Sequence, residues 1–162
     1  SNLGDRLSEL RHGVMAIAKL GRVLGRSAVY ETVPQLEQQA SASHPDYLNA
    51  ALWLETELTP QLLLEKLLGI ELLAGRTRQS GQPPAPRTLD LDLLLLGRWG
   101  DVVLVSDALV VPHPRLHLRA FALRPLLDLV PGLVHPALSL PLRVLYQMLP
   151  DDEPPPRPLG WL

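Results

Sequence analysis

The stretch RTLDLDLLLLG, residues 87–97, sets two aspartates two positions apart inside a leucine-rich run. An apolar run of this length bounded by turn signals predicts a strand over residues 88–96. Side chains on a strand alternate, so Asp90 and Asp92 share one face while Leu89, Leu91 and Leu93 share the other. Two carboxylates on one face repel each other and lose hydration on burial, so positive charge is expected beside them. An arginine meets that need. So does a divalent cation, because a hard ion such as Mg²⁺ takes carboxylate oxygens together with phosphate oxygens. Arg76, Arg78 and Arg87 lie shortly before the pair and are suited to gripping phosphates. The spacing alone leaves an ordinary solvent-facing pair equally open.

Working outward, TPQLLLEKLLGIELLAG (59–75) predicts a helix, with Thr59 as cap, Pro60 at the first helical position and Gly75 closing it. Leu7, Leu10, Val14, Ile17 and Gly21 recur at helical spacing, which predicts an amphipathic helix over residues 5–20 with Asp5 near its start. RSAVYETV (26–33) alternates and predicts a strand, and YLNAALWLETEL (47–58) a second one antiparallel to it. The polar stretch 34–46 between them and the stretch 76–87 are predicted loops of a length that is often functional. Downstream come the hairpin-like RWGDVVLV (98–105), ALVVPHPR (108–115), and helices over 119–129 and 141–149. The order helix, strand, strand, helix, strand predicts an α+β fold of the split βαβ kind, an antiparallel sheet with helices packed on it, lacking its first strand.

The bulk properties narrow the function. A chain of 162 residues, 46% of them hydrophobic, predicts one domain with a proper core. A formal charge of −2 argues against a broad basic surface for nucleic acid. The absence of cysteine removes disulfides and cysteine-held zinc, and fits a reducing compartment. No secretory signal and no apolar run long enough for a membrane span is present, so a cytoplasmic protein is expected. Thirteen of the fifteen basic residues are arginine, a bias best attributed to a GC-rich coding genome. No P-loop pattern occurs, so nucleotide chemistry here needs another phosphate grip. His113 and His117 have the spacing of a helical metal pair, but Pro114 argues against a helix holding both. The tail, residues 150–162, is rich in proline and poor in apolar residues and is expected to be poorly ordered.

Seven stretches in order, SNLGDR, YETVP, PDYLNA, IELLAGRTR, PRTLDLDLLL, VPHPR and LRAFALRPLLDLVP, resemble the 6-hydroxymethyl-7,8-dihydropterin pyrophosphokinases of folate biosynthesis. The resemblance covers residues 1–149, the expected enzyme domain. It implies a ferredoxin-like sandwich that transfers pyrophosphate from ATP to the pterin hydroxymethyl group, giving AMP and the pterin diphosphate. It also implies two Mg²⁺ ions held by Asp90 and Asp92, with Arg76 and Arg87 as catalytic loop arginines. Thr32, Pro34, Tyr47, Asn49 and Phe121 match the pterin pocket. Asn49 would read the ring edge, and Tyr47 and Phe121 would sandwich the ring. Glu71, Arg78, His113 and Arg119 match ATP contacts. The implied partners are ATP and the pterin, with neither nucleic acid nor membrane. A monomer is expected, fused to or associated with another folate-pathway enzyme in some settings.

Two departures from the family pattern stand out. Where relatives carry a basic residue and a tryptophan ahead of GPR, this chain has SGQPPAPR (80–87), which implies altered nucleotide affinity or lid motion. Relatives also have a short hydrophobic strand before SNLGD, and its restoration is expected to raise stability. Two further readings remain: a non-catalytic pterin or nucleotide-binding module of the same origin, and a different Mg²⁺-dependent nucleotidyl transferase. The intact aspartates, Asn49 and the arginines argue against the first, and the pterin-slot stretch YLNA with Phe121 against the second.

Overall fold

The computed structural model describes residues 1–33, 45–75, 88–150 and 154–161. In chain order the elements are α1 (Arg6–Ile17), β1 (Arg22–Arg26), β2 (Ala28–Thr32), β3 (Tyr47–Asn49), β4 (Leu52–Glu55) and α2 (Pro60–Leu73). They are followed by β5 (Leu104–Val105), β6 (Val110–Val111), a 3-10 turn (Leu116–Leu118), α3 (Ala120–Leu129), β7 (Val134–His135), β8 (Leu140–Pro141), α4 (Leu142–Gln147) and β9 (Arg157–Trp161). The architecture is mixed helix and antiparallel sheet, as expected for an α+β chain.

The two predicted strands form a longer, bent antiparallel ribbon. β1 pairs with β4 and β2 with β3, the register slipping between Val23 and Gly25. At the junction of the two pairs the Ser27 amide donates to the Ala51 carbonyl, and the Ala51 amide donates to the Ser27 hydroxyl. The hydroxyl thus keeps buried backbone groups satisfied where the ladder is interrupted. The helix predictions hold closely. The Asp5 side chain caps α1 by accepting from the Ser8 amide, Thr59 caps α2 through the Leu62 amide, and Gly75 takes a φ of +84° past its end.

The segment carrying the aspartates differs from its prediction. Among the described residues, 88–95 belong to no strand ladder, and Leu96 alone forms a bridge, with Val102. The predicted alternation survives nonetheless. Leu89 is 2% exposed and lies over Gly13 of α1, while Leu91 and Leu93 pack on Ile17, Leu63 and Leu67 of α1 and α2. Alternation reports which side chains face a core, and helices satisfy that demand as well as a sheet does. Beyond Leu93 the run turns to a second core, where Leu94 and Leu95 meet Leu116, Leu123, Leu126, Leu142 and Leu145.

The tail also corrects its prediction. Residues Arg157–Trp161 form β9, antiparallel to β2, so β2 lies between β3 and β9. All five β9 residues are exposed. The strand is held by backbone bonds and by an ion pair from Arg157 to Glu31, which a count of apolar residues does not detect.

Candidate active site

Asp92, His113 and Arg119 come together from three stretches of the chain. The Arg119 guanidinium lies 3.5 Å from an Asp92 carboxylate oxygen, and its carbon sits 5.3 Å from the centre of the Phe121 ring. Arg119 is well shielded and Asp92 more open, their side chains 15% and 39% exposed. The His113 amide donates to the Leu94 carbonyl at 2.9 Å, which fixes the histidine beside the aspartate segment. His113 Nδ1 accepts from the Arg115 amide at 3.1 Å, so in the neutral ring the proton is on Nε2. Burial lowers the His113 pKa, assisted by Arg119 and Arg115 and opposed by Asp92.

Asp90 is half-buried and Asp92 exposed. Between them, the Leu91 amide donates to a Glu71 carboxylate oxygen at 2.7 Å. Glu71 is 1% exposed, buried on α2 instead of facing solvent as a helix carboxylate ordinarily does. The signal was present in the spacing: Leu63, Leu67 and Glu71 occupy successive places on the one buried stripe of α2. The Thr88 hydroxyl donates to the Ala74 carbonyl, a second tie between this segment and the end of α2.

The pterin candidates Thr32, Tyr47 and Asn49 also gather. Thr32 faces Tyr47 across the β2–β3 pair, and Asn49 Nδ2 donates to Thr32 Oγ1 at 2.8 Å. Phe121, on the first turn of α3, is half-buried against the second core, and α3 packs on β2 and β3. Pro34, Arg76, Arg78 and Arg87 lie outside the described residues.

Sequence reading missed two supports of this region. Asp128 of α3 accepts from the Tyr30 hydroxyl, at 2.9 and 3.0 Å to its two oxygens, and from the Ala28 amide at 3.1 Å. It also pairs with Arg124 at 3.1 Å. Burial and then the bond to Asp128 raise the Tyr30 pKa. Glu31 lies between Arg6, at 3.0 Å, and Arg157, and the bond from Arg157 is the main cause of its lowered pKa. These side chains are far apart in sequence and match no short motif.

Among the described residues no group of three or more His, Asp or Glu stands ready to hold a metal ion, and no helix is long and apolar enough to cross a membrane. An Asp90–Asp92 site would therefore need ligands from elsewhere. Phosphate oxygens are the hard donors that complete such a set.

Residues 1–131 match the family model for 7,8-dihydro-6-hydroxymethylpterin-pyrophosphokinase (HPPK). The chain is 36% identical over 138 residues to a 2-amino-4-hydroxy-6-hydroxymethyldihydropteridine pyrophosphokinase of Haemophilus influenzae, covering 84% of this chain and 81% of that one. It is 36% identical over 154 residues to the folic acid synthesis protein fol1 of Schizosaccharomyces pombe, covering 94% of this chain. A mitochondrial folate synthesis bifunctional protein of Pisum sativum is 38% identical over 131 residues, 80% of this chain. The chain spans only 20% of the fungal relative and 24% of the plant one. With its matched stretch running from Ser1 through α3, the chain belongs to the 7,8-dihydro-6-hydroxymethylpterin-pyrophosphokinase family.

Proposed function

We propose that this chain transfers the terminal pyrophosphoryl unit of ATP to the hydroxymethyl oxygen of 6-hydroxymethyl-7,8-dihydropterin, releasing AMP. The observation that carries the reading is the meeting of Asp92, His113 and Arg119 in a chain of this family. Asp90 and Asp92 are hard oxygen donors suited to two Mg²⁺ ions, with phosphate oxygens completing the ligand set. When bound, the ions withdraw charge from the phosphates of the transferred group.

The chain's own residues supply grip and orientation. Arg119 lies against Asp92 and can turn its fork to a phosphate oxygen when ATP enters, leaving that carboxylate to a cation. His113 carries its proton on Nε2 and can donate it to a phosphate oxygen as a neutral ring, the state that burial favours. Arg76 and Arg87 supply guanidinium donors to the triphosphate, with Arg78 a lesser ATP contact. On the other side, Asn49 is oriented by its bond to Thr32 and presents its remaining amide groups to the pterin edge. Tyr47 and Phe121 sandwich the ring, and Thr32 and Pro34 line the pocket. Glu71 stands at the nucleotide end.

In the transfer, the hydroxymethyl oxygen bonds to the β-phosphorus. The bond from that phosphorus to the α,β-bridging oxygen breaks, that oxygen leaves with AMP, and the hydroxyl proton passes to solvent. Holding the acceptor in line and neutralising charge carry the rate, with no covalent enzyme intermediate. The reading includes a ferredoxin-like scaffold over residues 1–149, a cytoplasmic setting, and fusion to or association with another folate-pathway domain. The bifunctional plant relative supports the last of these.

The test is incubation with ATP, Mg²⁺ and the hydroxymethyl-dihydropterin. AMP that forms only when the pterin is present supports the proposal. No AMP, with binding retained, would mark a non-catalytic module; AMP without pterin would point to another transferase.

A further inference from the structure

We propose that Glu71 is a positioning residue, which holds Asp90 and Asp92 in place through the backbone of Leu91 without touching ATP. This rests on the functional reading above and changes the part Glu71 plays in it. Glu71 occupies the third place on a buried helix stripe whose other members are Leu63 and Leu67. A leucine would complete that stripe at less cost, because burying a carboxylate forfeits its hydration unless the charge is compensated. At 1% exposure Glu71 offers almost no surface to a ligand. It does accept a 2.7 Å bond from the Leu91 amide, in the charge-assisted range.

Leu91 is the one residue between the two aspartates, and its side chain is anchored on Ile17, Leu63 and Leu67. Among the described residues this segment belongs to no ladder, so ties from α2 take the place of strand pairing: Glu71 at Leu91 and the Ala74 carbonyl at Thr88. A carboxylate pair that shares cations must be held to about 0.5 Å, and supporting hydrogen bonds provide that precision. The bond at Leu91 fixes the peptide on which both aspartates depend.

Three substitutions separate the bond from the charge. Glu71→Gln keeps an acceptor oxygen at the same reach, Glu71→Asp keeps the charge but withdraws the oxygen, and Glu71→Leu removes both. The first readout is amide hydrogen exchange at Leu91 in the ligand-free protein, which needs no turnover. The second is Mn²⁺ binding, followed by electron paramagnetic resonance, to protein saturated with a non-hydrolysable ATP analogue. The third is the KM for pterin.

Glu71→Asp and Glu71→Leu are expected to speed Leu91 exchange and to weaken Mn²⁺ binding about 10–100-fold, the usual cost of losing a support behind a metal ligand. The pterin KM should be unchanged and Glu71→Gln should behave like the wild type. Should Glu71→Leu fail to fold, Glu71→Asp against Glu71→Gln carries the same contrast. Unchanged Leu91 exchange and Mn²⁺ binding in Glu71→Asp would overturn the proposal, as would a Gln variant as impaired as the Asp one. A wild type that makes no pterin-dependent AMP would refute the enzyme reading instead, and the exchange readout would still decide the role of Glu71.

Discussion

Among the described residues Asp92 pairs with Arg119, at 3.5 Å, and its side chain is 39% exposed, open to a metal ion. Its charge is used at the surface of the site and is not needed to complete the core, so Asp92→Ala should leave the fold intact. Turnover should fall about 10²–10³-fold, the scale of removing one preorganised electrostatic partner from a reaction centre. Steady-state kinetics beside a thermal melt checks both halves, and unchanged activity would remove Asp92 from the mechanism. At this scale the sequence was most informative about residues whose chemistry is unusual for their setting, the paired acids above all. It was least informative about Glu71, which a single-residue view places in solvent and the helical stripe places inside.

At the scale of elements, α3 is fastened to β2 by Asp128, which bonds the Tyr30 hydroxyl and the Ala28 amide. Tyr30 is 3% exposed and Asp128 partly buried, so Tyr30→Phe should cost about 1.5–3 kcal/mol, the range for a hydrogen bond to a charged group. Urea unfolding measures it. β9 depends on Glu31 in another way. The folded-state pKa of Glu31 is depressed, mainly by Arg157, so its contribution is fully present above the ordinary carboxyl value of 4.5 and is lost as pH falls through the depressed value. Arg157→Ala should therefore cost about 0.2–1 kcal/mol near neutral pH, the range for an exposed pair, and progressively less in acid. Unfolding curves for the two proteins across that range should converge at low pH; a constant gap would mean that Arg157 acts through something other than the Glu31 charge. The helix caps could be read directly because capping depends on residues three positions apart, whereas β9 could not, because its partner strand lies more than a hundred residues away.

Across the whole molecule, two apolar clusters flank the aspartate segment, one between α1 and α2 and one around α3 and α4. Leu123, 0% exposed, belongs to the second. Leu123→Ala should cost about 2–5 kcal/mol, and each kcal/mol should lower Tm by about 2–4 °C in a chain of this size. Activity per folded molecule should hold at temperatures well below the new midpoint; calorimetry and an assay on the same sample test this. Helix spans, caps, the antiparallel ribbon and the inward side of the aspartate run were all legible in the amino-acid order, because each rests on contacts within a turn or on simple periodicity. The bond from Leu91 to Glu71 and the tie from Arg157 to Glu31 join residues 20 and 126 positions apart. No local rule connects such pairs: they meet only in the folded chain, where α2 packs beside the aspartate segment and β9 lies along β2.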